Sequence, residues 1–352
     1  MVRTAAPLLS ALVVVIALAL PACGKVLPPM SSSDAQGLLL NARTVARSHD
    51  SKRCVELASV LLDRAPANAQ ALRTRAQCNL AQGHWVAAET DYTALLTVDQ
   101  ADTDARLGRA RAYGGLGRAA LAYRDITEVV ARPSASRSDV LPAVSAFIDL
   151  GFFVDADSTI SASLKRWPDD SDLYLEKADM ERRLNNTEAT LAALDRAVQI
   201  APERNHDWPV ESRATFLRSI GRDQDAVRDY TAVLRSVPDS VSALMGRASA
   251  YDDLGRLALA ETDLTKAINL QTAPVPSPPD TLIAALTQRA MLMLRVGRTA
   301  EARTDLERAR GLVPPSDSAQ RGHLQALIDG VAATSQSTSR PQPTGLHATG
   351  SG

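Results

Sequence analysis

The sequence predicts an all-α chain: a stack of eight helical hairpins closed by a capping helix. Three observations predict it. Alanine and leucine dominate the apolar residues, a small residue returns at a nearly constant interval, and helix breakers fall between its copies.

Of 352 residues, 45% are hydrophobic but only 4% aromatic, so a large core must be made of Ala, Leu and Val. Ala and Leu have the best helix propensities of the apolar residues, and with 22% charged residues the balance suits closely packed helices. That length holds two ordinary domains or one elongated repeat array. A net charge of −1 exerts no overall pull towards nucleic acid or anionic lipid, and no nucleic-acid partner is expected.

The repeat decides between the two arrangements. Small residues stand at Ala42, Ala76, Ala110, Val144, Ala178, Ala214, Ala248 and Ala290, in steps of 34 except one of 36 before Ala214 and one of 42 before Ala290. Twelve residues after each comes a second series: Cys54, Ala88, Ala122, Ala156, Thr190, Ala226, Ala260 and Ala302. Antiparallel helices approach closely only where neither carries a bulky side chain at the crossing. Between the two positions lies a breaker: Gly83, Gly117, Gly151, Gly221, Gly255 or Gly297, with His49 and Asn185 in the other units. Pro66, Pro168, Pro202, Pro238 and Pro314 end five second helices.

The units read as 35–68, 69–102, 103–136, 137–170, 171–204, 207–240, 241–274 and 283–316. Asn205-His206 is inserted before the sixth. Val275 to Leu282, with Pro276, Pro278 and Pro279, is inserted before the eighth. Residues 317–332 read as the cap that shields the last apolar face, and 333–352, rich in Ser, Thr, Pro and Gly, as a disordered tail.

Ala105 to Val129, Ala243 to Leu270 and Thr287 to Leu312 resemble tetratricopeptide repeats, and the resemblance covers about residues 35 to 316. Thr190 departs from the family pattern at the second small position, and Gln100, Ser134 and Thr272 at the closing proline. The resemblance implies a right-handed α-solenoid whose first helices line a concave groove. It also implies a protein that binds peptides or protein segments without catalysis of its own.

The amino end differs from the rest. Arg3 is followed by an uncharged apolar run from Leu8 to Leu20 and then by Leu20-Pro21-Ala22-Cys23. The run is short for a membrane span and reads as an export signal. Its last four residues resemble a bacterial lipoprotein signal, which implies cleavage of 1–22, a lipid on Cys23, and 23–34 as a tether. With Gly24 after the cysteine, the resemblance implies the outer membrane, facing the periplasm. A simple cleaved signal and an uncleaved anchor are the alternatives.

Cys54 and Cys78 remain. In an oxidising compartment they either form a disulfide or stay as small core residues, and no CxxC suggests a metal or redox site. Five units carry an arginine just before the first small residue and an aspartate sixteen residues later: Arg75–Asp91, Arg109–Asp125, Arg213–Asp229, Arg247–Asp263 and Arg289–Asp305. The reading is a structural ion pair within each hairpin. The five histidines form no catalytic pattern, and no glycine-rich phosphate loop exists. No enzyme, cofactor or metal is therefore expected.

On the groove face the first three units offer Arg43, Arg47, Arg73, Gln77 and Arg111; the fifth and sixth offer a mixed set with Asp172, Asp179, Arg182, Glu211 and Arg218. Arginines on an exposed helix face are either plain solvated charges or a wall for an acidic ligand. The functional expectation is a scaffold for an envelope complex. An accessory subunit of one envelope enzyme or transporter is the alternative.

Overall fold

The computed structural model describes residues 31–47, 50–201, 206–272, 279–315 and 317–338; the side chains of Arg47 and of residues 332–338 are not described. The export signal, Cys23, His49, Pro276, Pro278 and the tail from 339 lie outside these residues.

Every regular element among the described residues is a helix. The first hairpins are α1 (Ser32–Arg47) with α2 (Ser51–Leu62), α3 (Ala69–Ala81) with α4 (Trp85–Val98), and α5 (Thr103–Gly115) with α6 (Ala119–Val130). The middle of the stack pairs α7 (Arg137–Asp149) with α8 (Phe153–Arg166), and α9 (Ser171–Arg183) with α10 (Thr187–Ile200). It continues with α11 (Asp207–Ser219) and α12 (Asp223–Ser236), α13 (Val241–Asp253) and α14 (Leu257–Gln271), and α15 (Pro279–Arg295) and α16 (Thr299–Leu312). The last helix, α17 (Ser318–Thr338), packs on α16.

Each hairpin closes where the sequence places its small residues. Ala42, Ala76, Ala110, Ala214, Ala248 and Ala290 are fully buried, as are Cys54, Ala88, Ala122, Ala156, Ala226, Ala260 and Ala302. The turns need a left-handed residue. The six breaker glycines sit at φ +70° to +81°, and Asn185 takes the same role at φ 57°. Each is followed by an amide that reaches five residues back, as Arg118 does to the Tyr113 carbonyl at 2.8 Å.

Second helices pack on the next first helix, and first helices also touch each other: α1 on α3, α3 on α5, α5 on α7, α7 on α9, and α11 on α13. Their outward side is the inner face of an α-solenoid. Two tyrosines lock neighbouring hairpins there. A methyl group on Gly108 would come within 2.3 Å of the Tyr92 ring, and one on Gly246 within 2.4 Å of Tyr230. Each ring therefore occupies the space that a side chain would need.

Three boundaries differ from the sequence reading. α1 begins inside the expected tether, α15 begins at Pro279, and α17 runs six residues past 332 into the expected tail. Proline is favoured at the first helical position, where its missing N–H costs nothing, which accounts for Pro279. Leu324, Ile328 and Val331 are buried against the last hairpin and anchor the longer cap.

Candidate groove on the inner face

The inner face changes character along the array. Arg43, Gln77 and Arg111 are exposed on α1, α3 and α5. Arg73 is not a free cation. Its Nη1 donates to Asp102 Oδ1 at 3.3 Å, its Nη2 donates to Asp102 Oδ2, and Asp104 lies 3.8 Å away. The expected groove role of Arg73 is corrected on this point: it spends its charge on Asp102, at the start of the next hairpin. Asp102 closes the same unit that Arg73 opens, 29 residues away and outside the sixteen-residue Arg–Asp register, so the repeat did not point to it.

The five Arg–Asp pairs are all bidentate. Nε and Nη2 of the arginine donate to the two carboxylate oxygens at 2.7–2.9 Å in Arg75–Asp91, Arg109–Asp125, Arg213–Asp229, Arg247–Asp263 and Arg289–Asp305. Hydrogen bonding to aspartate raises the pKa of each guanidinium further above its ordinary range. In four cases the remaining Nη1 reaches the preceding hairpin: Ser59 from Arg75 at 3.3 Å, Asp195 from Arg213 at 2.9 Å, Thr231 from Arg247 at 3.1 Å and Thr265 from Arg289 at 3.2 Å. One arginine thus ties three helices, and these residues are part of the frame. Cys54 and Cys78 are joined in a disulfide that pins α2 to α3, with Cα atoms 6.2 Å apart.

Between α9 and α11 the regular inner-face contact gives way to a cleft of about 910 Å³. This is the step that is two residues longer than the repeat. Leu175, Ala178, Leu194 and Phe216 supply apolar lining, and Trp208 stands at its edge with 66% of its surface exposed. Asp149, Glu176, Asp179, Arg182, Arg183 and Glu211 supply the charge. Arg183 donates to Asp179 at 2.8 Å and to Asp149 at 2.7 Å, and Arg182 donates to Asp179. Glu176 and Glu211 make no ion pair among the described residues. Burial, with Asp179, Asp149 and Asp172 nearby, pushes the Glu176 carboxyl up to about 7.

Of the mixed set expected on the groove face of the fifth and sixth units, Asp179, Arg182 and Glu211 line this space; exposed Asp172 faces Arg137 instead, and Arg218 faces Asp253. Among the described residues no group of His, Cys, Asp and Glu is arranged to hold a metal, and no helix is long and apolar enough to cross a membrane.

Residues 141–205 and 213–274 match the tetratricopeptide repeat family profile, over the fourth to seventh of the hairpins described above. These stretches are tetratricopeptide repeats. Repeats of this family are protein-interaction scaffolds, and that coarse role extends to this chain. Solved structures similar to it include a tetratricopeptide repeat protein from Parabacteroides merdae, 16% identical, with a TM-score of 0.42, the match covering 86% of this chain and all of the other. A second is the APC/C hetero-tetramer Cut9-Hcn1, 12% identical with a TM-score of 0.47, where 81% of this chain matches 53% of that one. A third is MamA from Desulfovibrio magneticus RS-1, 15% identical with a TM-score of 0.42, covering 49% of this chain and 92% of the other. No curated protein matches the chain significantly.

Proposed function

We propose that this chain is an exported, lipid-anchored scaffold that holds an extended partner segment along its inner face and so assembles an envelope complex. The cleft between α9 and α11 carries the groove part of this reading. It combines apolar lining, an exposed tryptophan and unpaired carboxylates on the face where first helices stack. An exposed large aromatic beside a cleft is the kind of anchor on which protein interfaces depend. The anchor part rests on the apolar run Leu8 to Leu20 and on Cys23.

The role is non-catalytic. His84 and His206 sit at helix starts and His323 on the cap, each in a different part of the array. Pilus or secretion pores, cell-wall enzymes and export machines are the candidate assemblies; an accessory subunit of one envelope enzyme or transporter is the second reading.

A photo-reactive phenylalanine analogue placed at Ser212, inside the cleft, tests the groove in intact cells. Partner adducts should form there and not from the exposed outer position Val154. Equal labelling from both, or labelling from Val154 alone, would move the binding surface elsewhere. Cys23→Ala should abolish palmitate incorporation and release the chain from the membrane fraction or leave it unprocessed; a wild-type chain without lipid and soluble in the periplasm would remove the anchor.

A further inference from the structure

The charges lining the cleft do not cancel. Asp149 on α7 and Asp179 on α9 are neutralised by Arg182 and Arg183, and α10 contributes no charged side chain to the lining. That leaves Glu176 on α9 and Glu211 on α11, two half-buried carboxylates without ionic partners, beside Leu175, Phe216 and Trp208. A carboxylate taken partly out of water and left unpaired is costly, and a cation entering the cleft would remove that cost. Apolar lining next to acid suits a side chain that is itself an aliphatic stem with a cationic head. Trp208, open at the edge, offers a π-face to such a stem or to a guanidinium.

Resting on the groove reading, we propose that the cleft recognises a lysine or arginine side chain of the partner segment, its head between Glu176 and Glu211 and its stem against Phe216 and Trp208. The occupant is a basic stretch of extended polypeptide, the opposite charge from that which an arginine wall would take.

Three pools of short fluorescent peptides test this against the full-length chain in detergent: one with a fixed lysine, one with glutamate there, and one uncharged. The lysine pool should bind and should weaken about tenfold or more in E176Q/E211Q. Its affinity should rise between pH ~5.5 and ~8 as Glu176 loses its proton. Thermal unfolding of the double variant at or above the wild-type midpoint would show that the loss is local. Preference for the glutamate pool, indifference to the double substitution, or binding by no pool would overturn the proposal. Cleft adducts from Ser212 that persist in that event would keep the groove and discard the basic occupant; their absence would discard both.

Discussion

Arg73 and Asp102 share two hydrogen bonds across neighbouring hairpins, and Asp102 is also the N-cap of α5, accepting the Ala105 amide at 2.9 Å. One carboxylate therefore ties α3 to α5 and starts a helix. Arg73→Gln should cost about 1 kcal/mol, the scale of a partly exposed charge-assisted pair. Asp102→Ala should cost more, because losing an N-cap costs about 1 kcal/mol by itself. Midpoints of urea unfolding would rank them, and equal losses would mean that the cap contributes little. Burial alone would raise the Asp102 carboxyl, but hydrogen bonds from Arg73 and the α5 amides outweigh it and hold the pKa below the ordinary value. The stability from this group is present above the unfolded pKa and disappears as pH falls through the lower folded one.

Glu176 has the opposite sign. Its folded pKa of about 7 lies above its ordinary 4.5, so the folded state holds its proton more tightly than the unfolded chain. Stability therefore falls as pH rises through that window. Glu176→Gln should stabilise the protein at pH ~8 by on the order of 1 kcal/mol, well below the full linkage value because the group is only partly buried. The gain should vanish below pH ~4.5. A gain that persists in acid would point to packing as its source.

Asp125 is fully buried opposite Arg109. Asp125→Ala should destabilise by about 3 kcal/mol, since it strands a charge among packed helices. The double change Arg109→Met with Asp125→Leu should cost clearly less. A double-mutant cycle in denaturant would check this, and additive losses would mean that the pair is not coupled.

Alanine at position 108 has two opposing effects. It raises helix propensity by about 1 kcal/mol but collides with the Tyr92 ring 2.3 Å away. Overpacking of this kind costs about 1–3 kcal/mol, so Gly108→Ala should destabilise the wild type. With Tyr92→Leu present the same substitution should stabilise. An effect of the same sign in both backgrounds would mean that the ring moves aside freely.

Reducing the Cys54–Cys78 bridge frees a loop with a sequence separation of 24 residues. Loop-entropy reasoning gives about 3 kcal/mol at that length. Only neighbouring units feel each other in a stacked array, so the loss should stay local. Hydrogen exchange should accelerate in α1 to α3 and remain unchanged in α13 to α16; uniform acceleration would contradict a local role.

The hairpins were legible because two series of small residues keep one register through eight copies. The Arg–Asp partners were legible because both members are present or absent together in seven units, Lys177 opposite Ala193 being the exception. Asp102 was hidden because it lies 29 residues from its partner, at the far end of the same unit and outside the sixteen-residue register. The cleft depends on how far α9 stands from α11, which no residue type encodes; its one trace is the step of 36 before Ala214. Tyr92 with Gly108 and Tyr230 with Gly246 left a trace too, a tyrosine followed by glycine sixteen residues later, in two places only.

Those two tyrosine–glycine joints limit how such a chain can be rearranged. A series of equal modules can lose or gain any member, but here two modules carry a peg and the modules after them carry the matching socket. Deleting residues 103–136 would bring Tyr92 against the unit that has Pro142 where Gly108 stood. Deleting 241–274 would set Tyr230 against Gln288. Neither substitute leaves the space that glycine does. Units outside these joints can be removed singly, whereas the units of a joint can be removed only together, so an engineer shortening the array should cut between joints and not through them.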